Sequence, residues 1–146
     1  MHALFEKQGH IAIITMNRPE ALNALSPEMI CRLADYWQEV AANPDIRAAI
    51  VTGAGPKAFC SGADLGQLIP LFNGSRTPQN EWEKRVVGER GLTFTGILRD
   101  FDAVKPVIAA VNGFAVAGGC EFLQGTDIRV ASEKARFGVQ EVKWAL

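Results

Sequence analysis

Two glycine-rich stretches each follow an apolar segment, and both could present backbone N–H groups to a ligand. The first is Phe59-Cys60-Ser61-Gly62-Ala63-Asp64, and the second runs over residues 113–121 and contains Gly118-Gly119. Missing side chains let the backbone approach a ligand closely. Two N–H donors that converge on one carbonyl oxygen form an oxyanion hole, which suits a thioester whose carbonyl becomes an enolate during reaction. The pattern therefore indicates chemistry at an activated carbonyl.

Gly118 and Gly119 are predicted to open a helix. Unpaired N–H groups and the helix dipole both favour developing negative charge at such a position. Glu121 then falls in the first turn, close to the same spot. Its carboxylate could transfer protons, or it could be an acidic residue that only stabilises the helix N-terminus.

A second motif imitates a dinucleotide-binding fingerprint, because Gly53-Ala54-Gly55-Pro56-Lys57-Ala58 has the spacing G-x-G-x-x-A after a predicted strand. That fingerprint needs a helix starting at the loop, so that its N-terminus meets the pyrophosphate. Residues 56–62 read as a loop, and no strand ending in Asp or Glu follows about 20 residues later. A nicotinamide cofactor is therefore not expected.

The elements that position these stretches alternate between strands and helices, which is typical of the α/β class. A hairpin across Gln8-Gly9-His10 opens the chain, and a helix begins at Ser26-Pro27. Other strands are predicted at residues 47–52, 106–111 and 128–131, and a last segment starts at Phe137-Gly138. A core-facing helix is predicted over residues 94–101 and another over 118–125, with loops at 53–66 and 70–78.

Composition narrows the classes of partner. The chain has 146 residues, a formal net charge of -1 and no basic stripe, so nucleic acid is not expected to bind. No apolar run approaches the roughly 20 residues that span a bilayer, and no signal sequence opens the chain, so we expect no membrane partner and a cytoplasmic location. Three scattered cysteines and two histidines suggest neither disulfides nor a metal site. The cysteines read as buried fillers.

The motifs resemble those of the crotonase (enoyl-CoA hydratase/isomerase) family. They are Asn17-Arg18-Pro19, Ala21-Leu22-Asn23-Ala24-Leu25, residues 57–64, and residues 110–121, in the family's order over nearly the whole chain. The resemblance implies a spiral of ββα units. We expect residues 1–146 to form one core domain that is truncated before a C-terminal helical part, because no cap closes the pattern at Trp144-Ala145-Leu146.

The same resemblance assigns site residues. It implies that the oxyanion donors are the backbone N–H groups of Ala63 and Gly118, and that Glu121 and Glu141 are the catalytic pair, although Glu141 could instead be a surface residue at a helix start. Phe72 and Trp82 are candidates for lining the acyl pocket. Lys57 could reach a coenzyme A phosphate or remain a solvated lysine. The implied substrate contacts are Lys57, Ala58, Phe59, Ser61, Gly62, Asp64, Leu65 and Gly119.

The implied activity is the reversible addition of water to a 2-enoyl-CoA thioester, with coenzyme A carried by the substrate and no separate cofactor. One glutamate can activate the water while the other delivers a proton to the α-carbon. The alternatives are an enoyl-CoA isomerase, an acyl-CoA hydrolase or a non-catalytic acyl-CoA-binding fragment. The resemblance also implies a homotrimer or hexamer for the full-length protein.

Overall fold

Residues 1–139 are described by a computed structural model, and they open with an antiparallel hairpin. β1 (Ala3–Gln8) pairs with β2 (Ile11–Met16), and Gln8 lies opposite Ile11 across a two-residue turn. Gly9 in that turn has a φ of 58°, which glycine adopts without steric cost and which tight hairpin turns require. The predicted hairpin is confirmed, with a longer first strand.

α1 (Pro27–Ala42) has the start and the buried face that the sequence predicts. The Ser26 hydroxyl accepts a hydrogen bond from the Met29 N–H, and Pro27 occupies the first turn, where its missing N–H costs nothing. Ile30, Leu33 and Trp37 are fully buried, and each such side chain contributes about 1.5–3 kcal/mol. The helix is therefore a main wall of the core.

A five-stranded sheet carries the large strands in the order β1-β2-β3-β5-β7. β3 (Ala48–Gly53), β5 (Val107–Val111) and β7 (Ile128–Ala131) run parallel to β2. In β3 and β5 buried residues alternate with partly buried ones. All three predicted strands are confirmed.

A second, three-stranded parallel sheet has the order β4-β6-β8. β4 (Ala58–Cys60), β6 (Phe114–Val116) and β8 (Arg136–Gly138) each follow a strand of the large sheet along the chain. Helices then follow β4 and β6. This alternation is the predicted spiral of ββα units. β4 and β6 themselves are three-residue strands inside the glycine-rich stretches, where the sequence predicts loop and turn.

Three short helices connect β4 to β5: α2 (Ile69–Phe72), α3 (Glu81–Gly88) and α4 (Leu92–Gly96). The expected loop at residues 70–78 is thus partly helical. The expected helix through residue 101 is wrong, because α4 ends at Gly96 and Leu98 is left-handed with a φ of 56°. The indole N–H of Trp37 donates to the Gly96 carbonyl, an acceptor that a longer helix would need for itself. Phe94 is 41% exposed and not part of the core.

The cysteines are mostly the fillers that the sequence predicts. Burial raises the pKa of the Cys31 thiol to about 11 and that of Cys60 to about 12, so both stay protonated and unreactive near neutral pH. Cys120 on α5 (Gly118–Gln124) is only partly buried. Within residues 1–139 no group of His, Cys, Asp or Glu could hold a metal ion, and no helix is long and apolar enough to cross a membrane.

Candidate active site

Pairing of β4 with β6 brings the two glycine-rich stretches together. The strands are parallel, with Ala58 opposite Phe114 and Cys60 opposite Ala115. The segments that follow them therefore leave the sheet at the same end of the strands. Gly62 has a φ of 90°, and a Cβ there would lie 2.9 Å from the Ala117 Cβ and 3.0 Å from the Gly118 nitrogen. Only glycine fits this close approach.

Ala63 and Gly118 line one cavity. A Cβ placed on Gly118 would lie 3.7 Å from the Ala63 nitrogen, so the two residues are immediate neighbours. Neither N–H donates to an acceptor within residues 1–139, and both residues line the cavity. The structure thus brings together the two residues to which the family resemblance assigns the donors, and within residues 1–139 neither N–H group is used by another acceptor.

Ala117 sets the direction in which α5 begins. Its φ of 51° and ψ of -129° are unusual for a residue with a Cβ, and such a conformation costs about 1–3 kcal/mol. Its N–H donates to the Gly138 carbonyl at 2.9 Å and its carbonyl accepts from Cys120 and Glu121. These bonds hold Ala117 in its strained conformation. Gly118, the first residue of α5, then lies in the cavity wall.

The cavity has a volume of about 400 Å³ and a mostly apolar lining, a size and character usual for a small-molecule site. Its walls come from the loop after β4 and from α2 and α4. Of the two aromatic candidates for lining an acyl pocket, Phe72 lines this cavity, whereas Trp82 does not and lies under the Arg32 guanidinium at 4.9 Å. Apolar lining side chains are Leu25, Leu65, Leu68, Ile69, Phe72, Phe94, Ile97 and Val116.

Glu121 is the carboxylate of this cavity. Its side chain is 46% exposed, and one oxygen lies 3.7 Å from the Arg99 guanidinium. It is the only acidic residue in the cavity lining formed by residues 1–139. Glu141, the predicted second carboxylate, lies outside the described residues.

An ion pair beneath the first glycine-rich loop fixes its shape. The buried Arg18 guanidinium donates to Asp64 at 2.8 Å and to the Ala24 carbonyl at 2.8 Å. The other Asp64 oxygen accepts from the N–H groups of Gly66 and Gln67 at 2.9 Å each. Burial opposes ionisation of Asp64, but the bonds from Arg18, Gln67 and Gly66 outweigh it and hold its pKa below the ordinary 3.8.

Asp64→Asn should therefore destabilise the protein by about 2 kcal/mol near neutral pH, because Arg18 stays buried without its charged partner. Since folding lowers the Asp64 pKa, its contribution is complete above about pH 5 and is lost as pH falls through the folded-state value. Urea unfolding of both proteins at about pH 7 and about pH 3 measures this. A difference that persists undiminished at the lower pH would contradict the ion-pair account.

Two asparagines that sequence reasoning did not assign hold the turn between β3 and β4, which leads into the first glycine-rich stretch. The buried Asn23 amide donates to the carbonyls of Ala54 and Ala58, and its oxygen accepts from the Arg18 N–H. Asn112 donates to Gly55 and Ala58. The sequence could have indicated both, because each asparagine lies within one of the family motifs and its side-chain amide can replace a backbone hydrogen-bonding group.

The remaining predicted contacts differ in their access to the cavity. Ser61 and Leu65 line it. Ala58 and Phe59 are buried, and the Phe59 ring packs on Phe122 at 5.9 Å, so any ligand contact would have to use their backbone. Gly119 is buried against β4, and Lys57 is exposed outside the cavity lining. Substrate contact by these residues stays a prediction.

Comparison with known proteins agrees with this geometry. A family model described as enoyl-CoA hydratase/isomerase matches residues 6–146. Enoyl-CoA hydratase EchA19 of Mycobacterium tuberculosis is 46% identical over 144 residues, covering 99% of this chain and 51% of that protein. The (E)-benzylidenesuccinyl-CoA hydratase of Thauera aromatica is 41% identical over 145 residues, covering 99% of this chain and 52% of that protein.

Solved structures share the fold. The crystal structure of carnitinyl-CoA hydratase from Mycobacterium avium matches with a TM-score of 0.82 at 35% identity, covering 99% of this chain and 51% of the other. This chain spans about half the length of the relatives it matches. With the family model covering nearly all of the sequence, and the ββα spiral in place around paired glycine-rich loops, the chain belongs to the enoyl-CoA hydratase/isomerase family.

Proposed function

We propose that the full-length protein is an enoyl-CoA hydratase, adding water reversibly to a 2-enoyl-CoA thioester. The observation that carries this is the meeting of two free N–H groups, from Ala63 and Gly118, with the Glu121 carboxylate in one apolar cavity. Relatives named as hydratases of CoA thioesters support it. Coenzyme A arrives with the substrate, and no other cofactor is proposed.

In the proposed reaction the thioester oxygen accepts hydrogen bonds from the Ala63 and Gly118 N–H groups. These bonds stabilise the enolate that forms when water oxygen bonds to the β-carbon, and losing one such donor typically costs about 3 kcal/mol. Glu121 and Glu141 share the proton work: one carboxylate takes a proton from the water and the other group delivers one to the α-carbon. The apolar walls hold the acyl group and exclude competing water.

An enoyl-CoA isomerase is the second candidate, because it needs one carboxylate, which Glu121 in the cavity could supply. The test gives crotonyl-CoA and a 3-enoyl-CoA separately to the full-length protein and follows the absorbance of the conjugated thioester. Loss of absorbance with crotonyl-CoA is expected. A gain with the 3-enoyl substrate alone would favour isomerisation, release of free thiol would favour hydrolysis, and binding without any change would favour a non-catalytic module.

We also propose that the protein assembles as a homotrimer or hexamer. The family resemblance is the ground for this proposal. Among residues 1–139, β7 and the segment 136–139 expose several large apolar side chains, which another copy or the rest of the full-length chain would cover. Analytical ultracentrifugation of the full-length protein should give a trimer or a multiple of it, and a monomer at micromolar concentration would contradict this. The exposed apolar residues are Ile128, Val130, Phe137 and Val139, each more than half exposed.

A further inference from the structure

We propose that Arg99 is a positioning residue that holds the Glu121 carboxylate toward the substrate; this rests on the proposed hydratase function. The guanidinium Nη1 lies 3.7 Å from a Glu121 oxygen. Both side chains are about half exposed, and such a pair on an open surface stabilises little. Arg99 can orient Glu121 only if other contacts fix its own position.

Arg99 is held by contacts other than Glu121. Its guanidinium lies over the Phe94 ring, 5.0 Å from the centroid, a favourable cation–π arrangement. Its backbone N–H donates to the Phe94 carbonyl at 2.9 Å. Phe94 is also part of the cavity wall. The guanidinium and the backbone N–H of Arg99 therefore both contact Phe94, a residue of the cavity wall.

The turn that carries Arg99 is packed against the helix that carries Glu121. Leu98 is buried and left-handed, with a φ of 56°, and a leucine keeps that conformation only where packing imposes it. Gly125, which caps α5, provides the space: a Cβ there would lie 2.3 Å from the Leu98 carbonyl oxygen. The distance from Arg99 to Glu121 is therefore set by direct packing between the two segments.

Glu121 needs a partner because it lies between two cavities. Besides the apolar cavity, it borders a second one of about 340 Å³, lined with Leu98, Arg99, Gln124 and Gly125. A free glutamate has several rotamers, and fixing one of them costs conformational entropy. Among the described residues that line either cavity, Arg99 is the only cation. When a substrate displaces water, attraction between the two charges strengthens, and the orientation becomes fixed during turnover.

The test compares Arg99→Met, Arg99→Lys and Arg47→Met with wild type in steady-state hydration of crotonyl-CoA. Arg47 is an exposed arginine before β3, outside both cavities. We expect Arg99→Met to lower kcat about tenfold with KM changed less than about twofold, because a misplaced catalytic group slows chemistry more than binding. Arg99→Lys keeps the charge and should recover most of the lost kcat. Arg47→Met should match wild type.

Several results would overturn the inference. A wild-type kcat in Arg99→Met would do so, as would equal loss in Arg99→Lys and Arg99→Met, since the latter indicates a packing role. A wild-type protein that does not hydrate crotonyl-CoA would overturn the proposed function and this inference with it. Turnover in wild type together with an unaffected Arg99→Met would overturn this inference alone.

Discussion

Glu121→Gln is expected to reduce hydration of crotonyl-CoA by about 10²- to 10⁴-fold, the range that a positioned acid–base group contributes. The amide keeps the size and polarity of the side chain but has no basic oxygen to accept a proton. Little stability should be lost, because the side chain is nearly half exposed and its one charged contact among residues 1–139, to Arg99, is at 3.7 Å. The measurement is the decay of conjugated-thioester absorbance under single-turnover and steady-state conditions.

A matched control is Glu133→Gln, which removes a carboxylate from the exposed turn between β7 and β8. It should hydrate crotonyl-CoA at the wild-type rate. Circular dichroism and Tm should be the same for all three proteins within error. Wild-type turnover in Glu121→Gln would remove the carboxylate from the mechanism and leave the two N–H groups as the only assigned chemistry.

Gly119→Ala should have the largest effect on stability among single substitutions at the site. An alanine Cβ would lie 2.1 Å from the Cys60 carbonyl oxygen and 2.8 Å from its carbon, so α5 and β4 would have to move apart. Both of these atoms belong to the Cys60 backbone, so rotation of a side chain could not relieve the clash. We expect a loss of about 3 kcal/mol or more in the free energy of unfolding.

Gly88→Ala is the matched control, since Gly88 ends α3 with nothing within 4 Å of the added Cβ. It should be neutral or stabilise by up to about 1 kcal/mol. Urea unfolding of the three proteins gives the comparison. Equal stability of Gly119→Ala and wild type would show that the contact between α5 and β4 has more freedom than these distances allow. Turnover should fall in Gly119→Ala as well, because the Gly118 N–H moves with the helix.

Local signals in the sequence predicted the elements that have a strong period or cap. Ser26-Pro27 fixed the start of α1, and the apolar run before Asn112 predicted β5. β4 and β6 were missed because each has three residues, too few for any alternation to be read. The extent of α4 was wrong because its end depends on a tertiary bond, from the Trp37 indole to Gly96.

The candidate site, like the fold, was predicted only in part. Motif resemblance assigned Ala63, Gly118 and Glu121, and the structure places all three around one cavity. The support beneath them depends on contacts between distant parts of the chain, such as Arg18 with Asp64, 46 residues apart. The spacing of apolar and polar residues along the sequence does not indicate such a pair. Arg99 was not assigned for the same reason, since its relation to Glu121 arises only when the turn after α4 packs on α5.

The parallel pairing of β4 and β6 positions the two assigned N–H groups, whereas other residues of the chain form the apolar walls of the cavity. Ala63 and Gly118 follow neighbouring strands of one sheet within about three residues, so the inter-strand spacing of about 4.8 Å constrains their separation. The apolar walls come largely from residues 65–97, which follow Ala63 along the chain and include α2 and α4. Neither assigned donor belongs to residues 65–97, so a change in their composition need not alter the distance between the donors. On the proposed function, grafting residues 65–97 from a relative is therefore expected to change acyl preference while the reaction stays the same.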